Sequence, residues 1–179
     1  IIDEAYDPAS AHPFKGNADL DKLERLVKEA GPGRISYITI GAPVNMAGGH
    51  PVSMENLRAV SEFCRPRYIR VVLDAARAVE NSYFIQQREK GYALKPVRDI
   101  LREMCALTDA CTMSAKKDAF ANIGGFLAMN DEAFYEEAKN FCVIYEGLHT
   151  YGGLAGRDLE ALALGIRESV ERDEWVAHR

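Results

Sequence analysis

Two polar positions in this sequence stand where open α/β sheets commonly place ligand contacts, directly after short apolar runs. Asp74 follows Ile69-Arg70-Val71-Val72-Leu73, and a carboxylate at a strand's end can keep the ring nitrogen of a bound ligand protonated. Aspartate after a strand also caps the following helix, and on position alone capping is the commoner role. Lys116-Lys117 follows Thr112-Met113-Ser114. A lysine at the rim of a packed core can have its pKa lowered by desolvation, and a neutral amine is what condensation with an aldehyde requires. From local sequence alone, an exposed pair of turn lysines is commoner. Arg77, three residues after Asp74, adds a cation to the first of these segments.

Strands and turns must deliver these groups, and the pattern supplies them. Asp19 to Ala30 carries Leu20, Leu23, Leu26 and Val27 among charges, a helical period stopped by Gly31-Pro32-Gly33. The β-branched run Ile35 to Ile40 reads as a buried strand ending at Gly41-Ala42-Pro43. Ser53 is a plausible N-cap for a helix bearing Leu57, Val60 and Phe63. Tyr68 to Leu73 reads as a second strand, Asn81 to Glu89 as a helical run, and Pro96 to about Leu107 as a helix with proline at its first position. Ala110 to Ser114 and Gly125 to Met129 are two further strands, a hairpin-like pair. Asp131 to Val143 and Asp158 to Val170 are amphipathic helices around the glycine-rich Tyr151 to Gly156. Alternation of strand and helix predicts an α/β fold with a largely parallel sheet, in which the strands at Arg34 to Ile40, Tyr68 to Leu73 and Ala110 to Ser114 share one sheet under packed helices.

Composition removes several alternatives. With 179 residues, 47% hydrophobic and 27% charged, the chain suits one globular unit able to bury a core. A net charge of -5 offers no basic stripe for nucleic acid. Cys64, Cys105, Cys111 and Cys142 form no CxxC pair and read as reduced, mostly buried thiols, and the four histidines have no metal-binding spacing. No apolar run reaches the roughly 20 residues a membrane helix needs, and no signal peptide is evident, which points to the cytoplasm. The start at Ile1 without methionine, and a helical pattern still running from Trp175 to Arg179, suggest a piece of a longer polypeptide.

Four ordered segments together are more specific than any one of them: Asn45-Met46-Ala47-Gly48-Gly49-His50-Pro51-Val52-Ser53, Asp74-Ala75-Ala76-Arg77 with Glu80 to Ile85, Met113-Ser114-Ala115-Lys116-Lys117-Asp118, and Tyr151-Gly152-Gly153-Leu154. In order and spacing they resemble the tyrosine phenol-lyase and tryptophanase family of β-eliminating lyases over nearly the whole chain. Cys111-Thr112-Met113, Asn122 to Leu127 and Gly152 to Asp158 are closer to the tyrosine phenol-lyase branch, whereas Ser114 to Ala119 is closer to tryptophanase. His50 stands where both branches carry glutamine.

The resemblance implies an aminotransferase-like, fold type I, pyridoxal 5'-phosphate enzyme. Lys117 would be its Schiff-base lysine and α-proton base, Asp74 the partner of the pyridine nitrogen, Arg77 and Asn45 neighbours of the phenolic oxygen, and Ser114 a phosphate contact. The backbone carbonyl of Asn122 would help bind a potassium ion. The implied reaction is β-elimination of L-tyrosine to phenol, pyruvate and ammonia, with L-tryptophan to indole as the alternative, in a homo-oligomer that is a homotetramer in the family. Residues 1-179 would then be part of the large domain. The main phosphate loop, a stacking aromatic residue and a general-acid tyrosine would lie upstream of Ile1, and the carboxylate-binding arginine and small domain downstream of Arg179. A non-catalytic fragment, or another lyase or aminotransferase of the same fold, remains open at this level.

Overall fold

A computed structural model describes residues 1–178, apart from the side chain of Asp173; Arg179, which closes the expected terminal helical run, lies outside the described residues. Four strands, β1 (Tyr37–Gly41), β2 (Arg70–Asp74), β3 (Ala110–Ser114) and β4 (Gly125–Met129), form one sheet in that order. β1, β2 and β3 run parallel, and β4 returns antiparallel to β3 with Met113 opposite Phe126, so the expected sheet and hairpin are both present. β1 begins three residues after the expected Arg34, and β2 two residues after the expected Tyr68. Tyr68 takes a left-handed φ of 56° at the end of a short 3-10 turn, and the N–H of Ile69 is spent on the carbonyl of Cys64.

Six α-helices accompany the sheet: α1 (Leu20–Ala30), α2 (Met54–Cys64), α3 (Ala78–Arg88), α4 (Val97–Ala106), α5 (Glu132–Glu146) and α6 (Gly156–Glu171). Local capping fixes three starts, because Asp19, Ser53 and Asp131 accept the N–H of Lys22, Asn56 and Phe134 respectively. Pro96 sits at the N-cap of α4, one residue before the first helical position expected for it. Helix α3 starts three residues before the expected Asn81, for a reason that belongs to the site below.

The core lies on one face of the sheet. Ile40, Val71 and Leu73 pack there against Met54, Leu57 and Val60 of α2, Ile85 of α3, and Ile100 and Met104 of α4. The opposite face is open, with Tyr37, Thr39, Arg70 and Thr112 exposed. Helices α2, α3 and α4 all contribute to a single cover, so burial alternates along β2 as in a half-solvated sheet. Of the four free thiols only Cys64 is buried, which corrects the expectation of mostly buried cysteines; burial pushes its pKa up to about 11. No helix among the described residues is long and apolar enough to cross a membrane.

Candidate active site

The loops that leave β1, β2 and β3 all emerge at the carboxyl edge of the parallel strands, where Gly41, Asp74 and Thr112 stand side by side in register. Backbone bonding continues past the strand ends: the N–H of Ala42 reaches the carbonyl of Asp74 at 3.1 Å, and that of Ala75 reaches Thr112 at 2.7 Å. The peptide of Asp74 is thus held by both neighbouring strands. Its half-buried carboxylate accepts the N–H of Ala76 at 3.2 Å. The N-cap of α3 is Arg77, so capping of that helix, the commoner role for an aspartate so placed, is not what Asp74 does.

Arg77 reaches back across the edge and donates to the Oδ1 of Asn45, with Glu80 at 3.5 Å on its other side. Asn45 opens a 3-10 turn, and Gly48 and Gly49 then take φ of 84° and 77° to bring His50 back into a bridge with Val44. A side chain at Gly49 would meet the guanidinium at 3.4 Å, so glycine there serves both the backbone angle and the approach of Arg77. Buried Asn81 holds the far end of this loop, accepting the N–H of Val52 and donating to its carbonyl, each at 2.9 Å. A guanidinium beside an amide is suited to stabilising an ionised oxygen.

Ser114 ends β3, and the chain then closes a tight loop: Ala115 donates to Gly124 at 3.0 Å and Ala121 to Ala115 at 3.2 Å. Lys116 points to solvent, whereas Lys117 is half-buried. Asp118 is fully buried; its carboxylate accepts the N–H of Glu80 at 3.0 Å, and its own N–H reaches the carbonyl of Ala76 at 3.3 Å. This is why α3 begins early. Its first turn is capped from a loop 38 residues further on. Nothing local to Ala78 announced that cap.

Asn45 and Arg77 are therefore in contact, and the Lys117 loop is bonded to the turn that carries Asp74 and Arg77. Asn122 is exposed in the bend before β4, and Tyr151 is exposed in the turn before α6. Asn81 and Asp118, which fix the loops, were not singled out from sequence. No group of three or more His, Cys, Asp or Glu among the described residues is arranged to hold a metal. The donor set fits pyridoxal phosphate by its chemistry: a primary amine, a carboxylate, a guanidinium–amide pair and a hydroxyl on adjoining strand ends.

Among solved structures, a Listeria monocytogenes EGD-E protein described as an L-allo-threonine aldolase superposes with a TM-score of 0.63 at 26% identity, covering 89% of this chain and 38% of that one. An Exiguobacterium protein described as an aromatic amino acid beta-eliminating lyase/threonine aldolase gives 0.54 at 24% identity over 81% and 35%, and shows the fold alone. The fold type I architecture is shared with them. Proteins named tyrosine phenol-lyase are far closer in sequence: that of Nostoc punctiforme is 61% identical over 97% of this chain and 37% of its own length. That of Symbiobacterium thermophilum is 58% identical over 100% and 39%. The chain thus spans less than two-fifths of these relatives. The model of the Beta-eliminating lyase family matches residues 2–178, and the chain belongs to that family.

Proposed function

We propose that this chain is the cofactor-holding part of the large domain of a pyridoxal phosphate-dependent lyase that cleaves L-tyrosine to phenol, pyruvate and ammonia. The observation that carries the cofactor reading is the bonded cluster at the carboxyl edge, where Arg77 meets Asn45 and the Lys117 loop is tied to the Asp74 turn. The choice of tyrosine rests on 61% identity to a protein named tyrosine phenol-lyase. The chain spans 37% of that relative, which supports a longer enzyme contributing the remaining groups.

Lys117 would hold the cofactor's aldehyde, Asp74 its ring nitrogen, Arg77 and Asn45 its phenolic oxygen, and Ser114 its phosphate. When bound, pyridoxal phosphate supplies an electron sink for charge released at the substrate's α-carbon. The protein's part is positional and protonic. The carboxylate of Asp74 keeps a proton on the ring nitrogen, and the amine of Lys117 takes the α-proton of the amino acid. Arg77 and Asn45 would stabilise negative charge on the cofactor's phenolic oxygen. Asn122 would offer a backbone carbonyl to a monovalent cation such as potassium, and the enzyme would act as a homo-oligomer, a homotetramer by analogy with the family.

The test measures pyruvate released by the full-length enzyme from L-tyrosine and from L-tryptophan. Release from tyrosine alone supports the reading; preference for tryptophan makes the enzyme a tryptophanase, and release from neither sinks both. A second reading, a non-catalytic fragment, applies to the 179-residue chain by itself, because it spans so little of its relatives. It expects no pyruvate from that chain even with added cofactor and potassium.

A further inference from the structure

Only two charged residues among those described are buried, Lys15 and Asp118, and Asp118 is the more completely closed from solvent, at 0% exposure. A carboxylate in such a place must be compensated by hydrogen bonds. Asp118 accepts the N–H of Glu80 at 3.0 Å. Glu80 is the third residue of α3, whose N-cap Arg77 makes no side-chain capping bond, so Asp118 meets one of the donors that a helix start leaves unpaired and sits at its positive end.

The backbone of Asp118 makes a second tie, donating to the carbonyl of Ala76 at 3.3 Å. Ala76 in turn donates to the carboxylate of Asp74 at 3.2 Å. A short chain of bonds therefore runs from the residue beside Lys117 to the carboxylate of Asp74. On its other side the loop is pressed by α6: a Cβ at Gly165 would fall 1.7 Å from the carbonyl oxygen of Ala119. Ala115 and Ala119 are both fully buried, which leaves the loop little freedom.

We infer that Asp118 is a positioning residue for the cofactor site, fixing the reach of the Lys117 amine relative to Asp74 and Arg77. The inference rests on the proposed role of Lys117. A cofactor held by its aldehyde at one point and its ring nitrogen at another requires a constant span between the two holders. Through its carboxylate and its own N–H, Asp118 ties the lysine's loop to the turn that presents the other holder.

In the full-length holoenzyme, Asp118→Asn and Asp118→Ala are compared with the parent by three readouts. These are the pH midpoint of the bound cofactor's yellow absorbance, the cofactor dissociation constant, and kcat and KM for L-tyrosine. Asparagine keeps an acceptor oxygen for Glu80, so Asp118→Asn should retain kcat within about threefold. Asp118→Ala removes the carboxylate tie and leaves only the backbone one, and kcat should fall by about 10²-fold, the scale of a small misplacement, with KM moved far less. The absorbance midpoint should shift by about half a unit or more. If Asp118→Ala does not fold, Asp118→Ser, too short to reach Glu80, carries the same expectation. Lowered thermal stability with parental kcat and midpoint overturns the inference, and so do equal losses in the asparagine and alanine variants. The reading of Lys117 fails separately if Lys117→Ala retains the yellow band, and the cofactor reading fails if the parent enzyme shows no such band.

Discussion

Strands β2 and β4 belong to one sheet, yet Val71 and Leu73 are closed from solvent while four of the five residues of β4 are exposed. The helices differ in the same way. Helix α4 buries Val97, Ile100 and Met104, whereas α5, expected to be amphipathic with a packed side, buries no residue, and Phe141, Ile144 and Tyr145 stand open. β4 is held by its antiparallel ladder to β3, not by cover on its faces. Pairing and burial are thus separable: hydrogen bonding alone extends the sheet, but only the β1–β3 side has the packed support that fixes loops in place. The candidate site lies on that supported side.

The largest expected effect tests whether this support serves chemistry. In the full-length enzyme, Lys117→Ala should abolish the yellow band and cost pyruvate release about 10²–10⁴-fold through lost proton transfer alone. Asp74→Ala should lose most activity while the band can persist, because the anchor remains. Lys116→Ala should be mild, as its side chain points to solvent. Comparable loss in the two lysine variants, read by pyruvate assay, would place the chemistry elsewhere.

Much of the supported half was legible because its signals are local. A short β-branched run bounded by glycine and proline marks β1, a short apolar run marks β2, and Asp19, Ser53 and Asp131 cap the helices they precede. Asn45, Asp74, Arg77, Ser114 and Lys117 are candidates by segment order and family resemblance, and the structure puts Asn45 against Arg77. What escaped was long-range. The cap of α3 is Asp118, and the carboxylate that accepts the N–H groups of Met54 and Glu55 at the start of α2 is Glu89, 35 and 34 residues away. No periodicity encodes such partners. The open face of the sheet was equally hidden, since apolar strands read as buried whether or not a second layer is present.

Core truncation should come next in size. Met104, 1% exposed, packs in the α2–α4 cover and lies 3.4 Å from the hydroxyl of Ser82, so Met104→Ala should destabilise the chain by about 2–5 kcal/mol in urea unfolding. A loss below that range would mean that the cover is looser than its burial implies.

A smaller effect is expected at Glu103, where α4 is tied to its surroundings. Burial pushes this carboxyl up, but bonds from Lys95, Tyr92 and Arg58 outweigh it and hold the pKa below the ordinary carboxylate value. A depressed acid contributes stability that is fully present above the unfolded value of about 4.3 and is lost as pH falls through the folded value. Glu103→Gln should therefore cost about 1 kcal/mol at neutral pH, a figure reduced for the exposure of Arg58 and Lys95. The difference from the parent should shrink on acidification; a gap that is constant down to acid pH would assign the effect to packing instead.

The smallest effect should come from the unsupported half. Phe141 lines an open groove of about 660 Å³ with Tyr37, Thr39, Val72, Leu127 and Tyr145, and is itself 53% exposed. Its one aromatic neighbour among the described residues is Tyr145, stacked at 6.5 Å. Replacing a side chain so placed removes little buried area and leaves no cavity, so Phe141→Ser in the 179-residue chain should change unfolding free energy by no more than about 0.5 kcal/mol. Helix propensity opposes the substitution only slightly, since phenylalanine and serine rank together. The contrast with Met104→Ala, measured in the same urea titration, isolates burial as the variable, because both residues sit inside regular helices. A loss at Phe141 matching that at Met104 would show that α5 is packed as firmly as α4, and the distinction between a paired and a supported half of the sheet would collapse.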